Sequence, residues 1–134
     1  MSRHLCALLF VIVNVLTMTC VAVEARDDPE WENSPPHIRK WFRELMRPDN
    51  EHLTCCGEAD GYEADMFEQY GGDYVAVITG QGPPSQYKPY VEPGTRIVVP
   101  KEKMKWDAGN PTGHGIIFMG TEQQVFCYVT PGGV

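Results

Sequence analysis

The 134-residue sequence is notable first for what it lacks. No Ser or Cys motif marks a catalytic nucleophile, so a histidine base would have nothing positioned to activate. No Cys-x-x-Cys pair occurs, and His52-x-x-Cys55-Cys56 is not a zinc spacing. Between Asp49 and Asp73 there is no Lys or Arg, against eight carboxylates: Asp49, Glu51, Glu58, Asp60, Glu63, Asp65, Glu68 and Asp73. That run is not an EF-hand. With Gly61 as the loop glycine, the ligand positions fall on Cys56, Glu58 and Asp60, and the closing position on Phe67 instead of a bidentate Glu. A solvated acidic face is the better reading. The net charge of −7 repels phosphate backbones and anionic lipid, which excludes nucleic acid as a partner. Internal repeats and low-complexity tracts are also missing.

The one long apolar run stands at the beginning. Arg3 and His4 lead into Leu5–Val23, and Val23-Glu24-Ala25 has the small-x-small form that signal peptidase reads. Residues 1–25 are therefore expected to be a cleaved export signal, 26–34 a loosely ordered leader and 35–134 a single globular domain. The competing readings are an uncleaved anchor of near-bilayer length and a lipoprotein signal ending at Cys20. Thr17-Met18-Thr19 lacks the residues expected before a lipidated cysteine. Cleavage removes one basic and one acidic residue, so the charge stays at −7 and no stable membrane anchor remains. The expected location is periplasmic or secreted.

Cys6 and Cys20 leave with the signal, and Cys55, Cys56 and Cys127 remain. Exported cysteines are normally oxidised, and three cannot all pair within one chain. A bond between the adjacent Cys55 and Cys56 would close a strained ring, so Cys127 is expected to pair with one of them. Closing a loop of about 70 residues is worth about 4 kcal/mol in the chain-entropy model. The remaining thiol is either buried or links two chains, giving a monomer or a disulfide-linked dimer. A reactive or metal-bound thiol is the alternative, with His52, Cys55, Cys56 and either His114 or Cys127 as the donors from which a soft-metal site could be assembled. Reactive thiols need a basic neighbourhood, whereas the flanks here are Glu51 and Glu58.

Ser34-Pro35 reads as an N-cap and first helical position. Ile38, Trp41, Phe42 and Leu45 recur on one helical face, Arg43 and Arg47 suit the last turn, and Pro48 stops it. This predicts an amphipathic helix over about Pro35–Arg47. After Gly57 the pattern turns to β. Ala64–Tyr70 and Tyr74–Thr79 form a hairpin about Gly71-Gly72, and Tyr87–Val91 is a short edge strand. Thr95–Val99, Lys101–Trp106, Ile116–Met119 and Val125–Thr130 are further strands, with a loop over Asp107–Gly115. Short strands spaced by turn residues predict an α+β, mainly β fold: one N-terminal amphipathic helix packed on a small SH3-like antiparallel β-barrel.

Asn110-Pro111-Thr112-Gly113-His114-Gly115 is the best candidate for a functional loop. It sets an imidazole between glycines, with Trp106, Asp107, Asn110 and His114 as the candidate residues and Asp107 as a carboxylate able to orient the histidine. The plainer reading is a loop that turns between strands. Tyr87, Tyr90, Trp106 and Tyr128 are either a ligand-binding face or the barrel core.

These pieces resemble a group of small exported hypothetical proteins of alphaproteobacteria. The matching stretches are Trp41-Phe42-x-x-Leu45, Cys55-Cys56-Gly57-Glu58-Ala59-Asp60 and Tyr74–Thr79. Further along come Pro93-Gly94-Thr95-Arg96, Val99-Pro100, Lys105–Gly115 and Cys127-Tyr128-Val129-x-Pro131-Gly132-Gly133. They cover nearly all of the chain after the signal. The resemblance implies no activity. It does imply a third cysteine shortly after the adjacent pair, at the position of Gly61 here, and its loss accounts for the odd cysteine count.

The expected function is a small exported non-enzymatic module that binds an envelope component or another extracellular partner, with no catalytic residue and no cofactor assigned. The alternatives are a thiol or metal-binding protein using Cys55, Cys56 and His52, and an enzyme built on the Asp107–His114 loop.

Overall fold

A computed structural model describes residues 33–55, 60–69, 72, 74–82 and 88–133. The expected signal and most of the leader, together with Cys56 and Tyr87, lie outside them. Among the described residues no helix is long and apolar enough to cross a membrane. The elements are a helix α1 (Pro36–Glu44) and strands β1 (Asp60–Glu68), β2 (Tyr74–Gly80), β3 (Arg96–Val99), β4 (Met104–Lys105), β5 (Ile116–Met119) and β6 (Val125–Val129). The architecture is α+β and mainly β.

The helix begins one residue later than Ser34-Pro35 suggested. Pro35 is the cap, no side chain caps the helix, and the Arg39 N–H donates to the Pro35 carbonyl at 3.1 Å. It also ends earlier, because the chain doubles back instead of adding another turn. The Cys55 N–H donates to the Leu45 carbonyl at 2.7 Å and the Arg47 N–H to the Leu53 carbonyl at 2.8 Å. This return sets Cys55 beneath the helix, where it forms a disulfide with Cys127 across 72 residues of sequence. Both cysteines are fully buried. Arg47 is drawn away from the helix end: its guanidinium lies 4.0 Å from the Phe126 ring centroid and donates to the Thr54 carbonyl.

The sheet has the order β3-β2-β1-β5-β6-β4. All neighbours are antiparallel except β4 and β6, which run parallel, so the all-antiparallel expectation fails at that edge. β3 and β4 stand at opposite edges, yet only Pro100–Lys103 joins them. A flat six-stranded sheet would hold its edges about 24 Å apart at ordinary strand spacing. Val99 to Met104 can reach about 17 Å when fully extended, and Lys101–Lys103 is coiled into a 3-10 turn that shortens it. The sheet must therefore curl.

Residues 88–91, expected within an edge strand, are held by side chains instead. The Gln81 amide donates to the Val91 carbonyl at 2.6 Å and accepts from the Val91 N–H, while the Tyr62 hydroxyl donates to the Pro89 carbonyl at 2.8 Å. Pro89 brings no N–H to a ladder, which disfavours a regular strand over this segment.

The curled sheet buries two apolar clusters. Inside the curl lie Tyr62, Ala64, Ala76, Ile78, Ile97, Val99, Ile117 and Tyr128. On the other face Phe42 of the helix and Leu45 just past its end meet Ile116, Phe118, Val129 and the disulfide. Phe42 and Phe118 touch edge to face at 5.9 Å between centroids. β5 lies between the clusters and alternates between them, so all four of its residues are buried. This accounts for the unbroken Ile-Ile-Phe-Met run.

Candidate functional site

Asp107–Gly115 is a loop, and its polar side chains are occupied in building it. Asn110 is buried at 5% exposure. Its Nδ2 donates to the carbonyls of His114 at 2.7 Å and Thr130 at 2.9 Å. Its Oδ1 accepts from the Thr112 N–H at 3.0 Å and the Thr112 hydroxyl at 2.7 Å. Two donors and two acceptor sites are the whole capacity of an asparagine side chain, and all four are filled. Asn110 thereby clasps the loop to the C-terminal tail, a bond reinforced by the Gly133 N–H donating to the Ala108 carbonyl at 3.2 Å.

Asp107 does not orient His114. Its Oδ2 accepts from the Trp41 indole N–H at 2.9 Å and its Oδ1 from the Gly109 N–H at 2.9 Å, so it ties the helix to the loop. His114 is exposed, and the loop uses its backbone: the carbonyl accepts from Asn110, and the N–H donates to the Thr112 hydroxyl. Gly115 is required by space. A Cβ there would meet the Tyr128 hydroxyl and the Ala64 carbonyl oxygen, which are themselves hydrogen-bonded at 3.0 Å. Burial pushes the Tyr128 phenol up to about 12, and the nearby Asp65 charge adds to the effect.

Cys55 is oxidised and has no thiolate to offer a metal. His52 lies in an exposed turn, where its N–H donates to Asn50 Oδ1 at 3.1 Å. Among the described residues no three His, Cys, Asp or Glu side chains converge.

Of the candidate loop residues, Trp106 is the one presented to solvent as a large apolar surface, at 70% exposure. It rims an open cleft of about 700 Å³. One wall is the outer end of β1, Asp65–Phe67; the other is Trp106–Ala108 with Thr130, Pro131 and Gly133 of the tail, and Tyr128 also contributes. Phe67 is a second aromatic on this rim, at 52% exposure. Sequence reasoning missed it, although a signal was present. Tyr62, Ala64 and Met66 alternate inward, which leaves Phe67 as an aromatic on the outward phase of its strand. The sequence-level choice between ligand face and core for the aromatics divides: Tyr128 is core, while Trp106 and Tyr90 are exposed. Among the described residues no Lys or Arg lines the cleft, whereas the carboxylates of Asp65 and Asp107 do.

Compared with protein-family models, curated proteins and solved structures, the chain matches none of them.

Proposed function

We propose that the protein is an exported, non-enzymatic binding module that engages a periplasmic or extracellular partner through the cleft between Phe67 and Trp106. The observation that carries this reading is the exposure of two large aromatic rings on the rim of an open cleft. An aromatic in that setting is a strong anchor for a ligand, because it buries a large area for little loss of side-chain freedom. The polar residues nearest to it are already committed to holding the loop together, which suits a rigid binding wall better than a reacting centre. The disulfide and the signal-like opening support export. The same curl, with a 3-10 turn between its two edge strands, supports an SH3-like barrel as the finer description of the fold.

The test is a ligand screen read by Trp106 fluorescence and by amide shifts, covering extended peptides and cell-wall glycan fragments. A saturable change that maps to residues 65–67, 106–108 and 130–133 and is lost in Trp106→Ala is the expected result. A defined turnover abolished by His114→Ala would replace this reading with an enzyme.

A further inference from the structure

The cleft is also an interrupted sheet. β1 pairs with β2 as far as Glu68, but its pairing with β5 stops at Glu63 opposite Ile116. One step further, the Ala64 N–H donates to the Gly115 carbonyl and the Ala64 carbonyl accepts from the Tyr128 hydroxyl. Beyond Ala64, the chain leading into β5, which would have continued as β1's neighbour, turns away into the Asp107–Gly115 loop.

The direction of the remaining backbone groups follows from the register. Ala64 stands opposite Ile78, and Ile78 gives its own N–H to Thr95 and its carbonyl to Gly94, on the far side. Ala64 and Ile78 are thus a non-hydrogen-bonded pair. The register then runs without a further shift, so Met66 opposite Ala76 and Glu68 opposite Tyr74 repeat that orientation. Their N–H and C=O groups point away from β2, on the side where β5 has ended, and among the described residues nothing pairs with them. Met66 itself lines the cleft.

Resting on the binding reading above, we infer that the cleft receives an extended peptide segment of a basic partner protein, added as a strand against Met66–Glu68. An exposed row of unpaired strand groups is a template for strand addition, with main-chain bonds supplying affinity and alternate side chains selectivity. Charge selects the occupant. Asp65 and Glu68 flank the open stretch without an ion pair among the described residues, whose salt bridges are Lys40–Glu44 and Lys103–Asp49. A second copy of β1 would bring the same carboxylates face to face, which like-charge repulsion disfavours. A segment with Lys or Arg alternating with apolar residues sets its cations on the face of Asp65 and its apolar side chains on the face of Met66.

The experiment uses the disulfide-bonded protein and a blocked Val-Lys-Val-Lys-Val peptide, with Val-Glu-Val-Glu-Val as its charge-reversed control. In the free protein the Met66 amide should exchange with solvent much faster than its ladder-bonded neighbour Phe67. Binding of the basic peptide should slow exchange at Met66 and Glu68 selectively. N-methylation of the peptide on the edge facing β1 should weaken binding about tenfold, the worth of one or two backbone hydrogen bonds, whereas the opposite edge should tolerate it. Peptide binding that depends on Trp106 but leaves Met66 exchange unchanged, or that ignores N-methylation, overturns strand addition and leaves the cleft as a binding site. Preference for the acidic peptide, or no binding of the basic one, overturns the choice of occupant. A ligand that binds independently of Trp106 removes the cleft reading itself.

Discussion

The Asp107–Gly115 loop and the cleft beside it share Asp107 as a border and differ in how completely their groups are matched. In the loop, a buried asparagine fills every hydrogen-bonding position it has, an aspartate gives one oxygen to the helix and one to the backbone, and a glycine leaves room for a tyrosine hydroxyl. In the cleft, two aromatic rings face solvent and a strand ends with backbone groups that have no partner among the described residues. Polar residues clustered in a loop look functional in a sequence. Here they are the frame, and the unmatched surface next to them is where a partner can gain free energy.

Substitutions separate the two regions, beginning with the frame. Gly115→Ala forces a methyl group into the Tyr128–Ala64 contact and should cost about 3 kcal/mol or more, read as a lower midpoint in urea. Asn110→Ala leaves the buried Thr130 carbonyl without its donor and should cost about 2 kcal/mol, with the C-terminal tail losing amide protection first. Tyr128→Phe deprives the Ala64 carbonyl of its partner and should cost about 1 kcal/mol. It also has a pH signature. The folded phenol titrates near 12 and the unfolded one near 10, so the folded state holds its proton longer. The native protein should keep this contribution below pH 10 and lose it progressively as pH rises toward 12, and the Phe variant should lack that component. Trp106→Ala should change stability by no more than about 0.5 kcal/mol while abolishing binding in the cleft. His114→Ala should change neither. A large stability loss in Trp106→Ala, or none in Asn110→Ala, would erase the distinction between frame and binding surface.

How much of this was legible in the sequence varies with the range of the interaction involved. Ile116–Met119 is a strand with the expected bounds, because a four-residue apolar run between turn residues depends on little else. The cysteine pattern left two partners for Cys127; the choice of Cys55 rests on the backbone return from Leu45, a contact no composition rule encodes. Asp107 was recognised as a residue with work to do, but its partner is an indole 66 residues away instead of the nearby imidazole. The parallel β4–β6 pair was invisible for the same reason: it joins a two-residue strand to the end of the chain, and local patterning does not reach that far. That Phe67 lies on the outward phase of its strand was legible in the alternation of Tyr62, Ala64 and Met66; that it rims a cleft depends on where β5 stops.

The placement of β6 sets an order in time. β1, β2 and β3 are successive in the chain and can pair as soon as they are made. β5 adds directly to β1, whereas the helix, β4 and the Asp107–Gly115 loop wait for residues 125–133, which supply the cysteine, the central tyrosine, the parallel neighbour and the asparagine's acceptor. A chain emerging N-terminus first can therefore pair β3, β2, β1 and β5 before residues 125–133 appear. Folding dominated by such distant pairings is slow. Loss of residues 125–133 would leave the helix without its disulfide, β4 without its neighbour and the Asp107–Gly115 loop without its clasp. Residues 125–133 are the latch of the molecule.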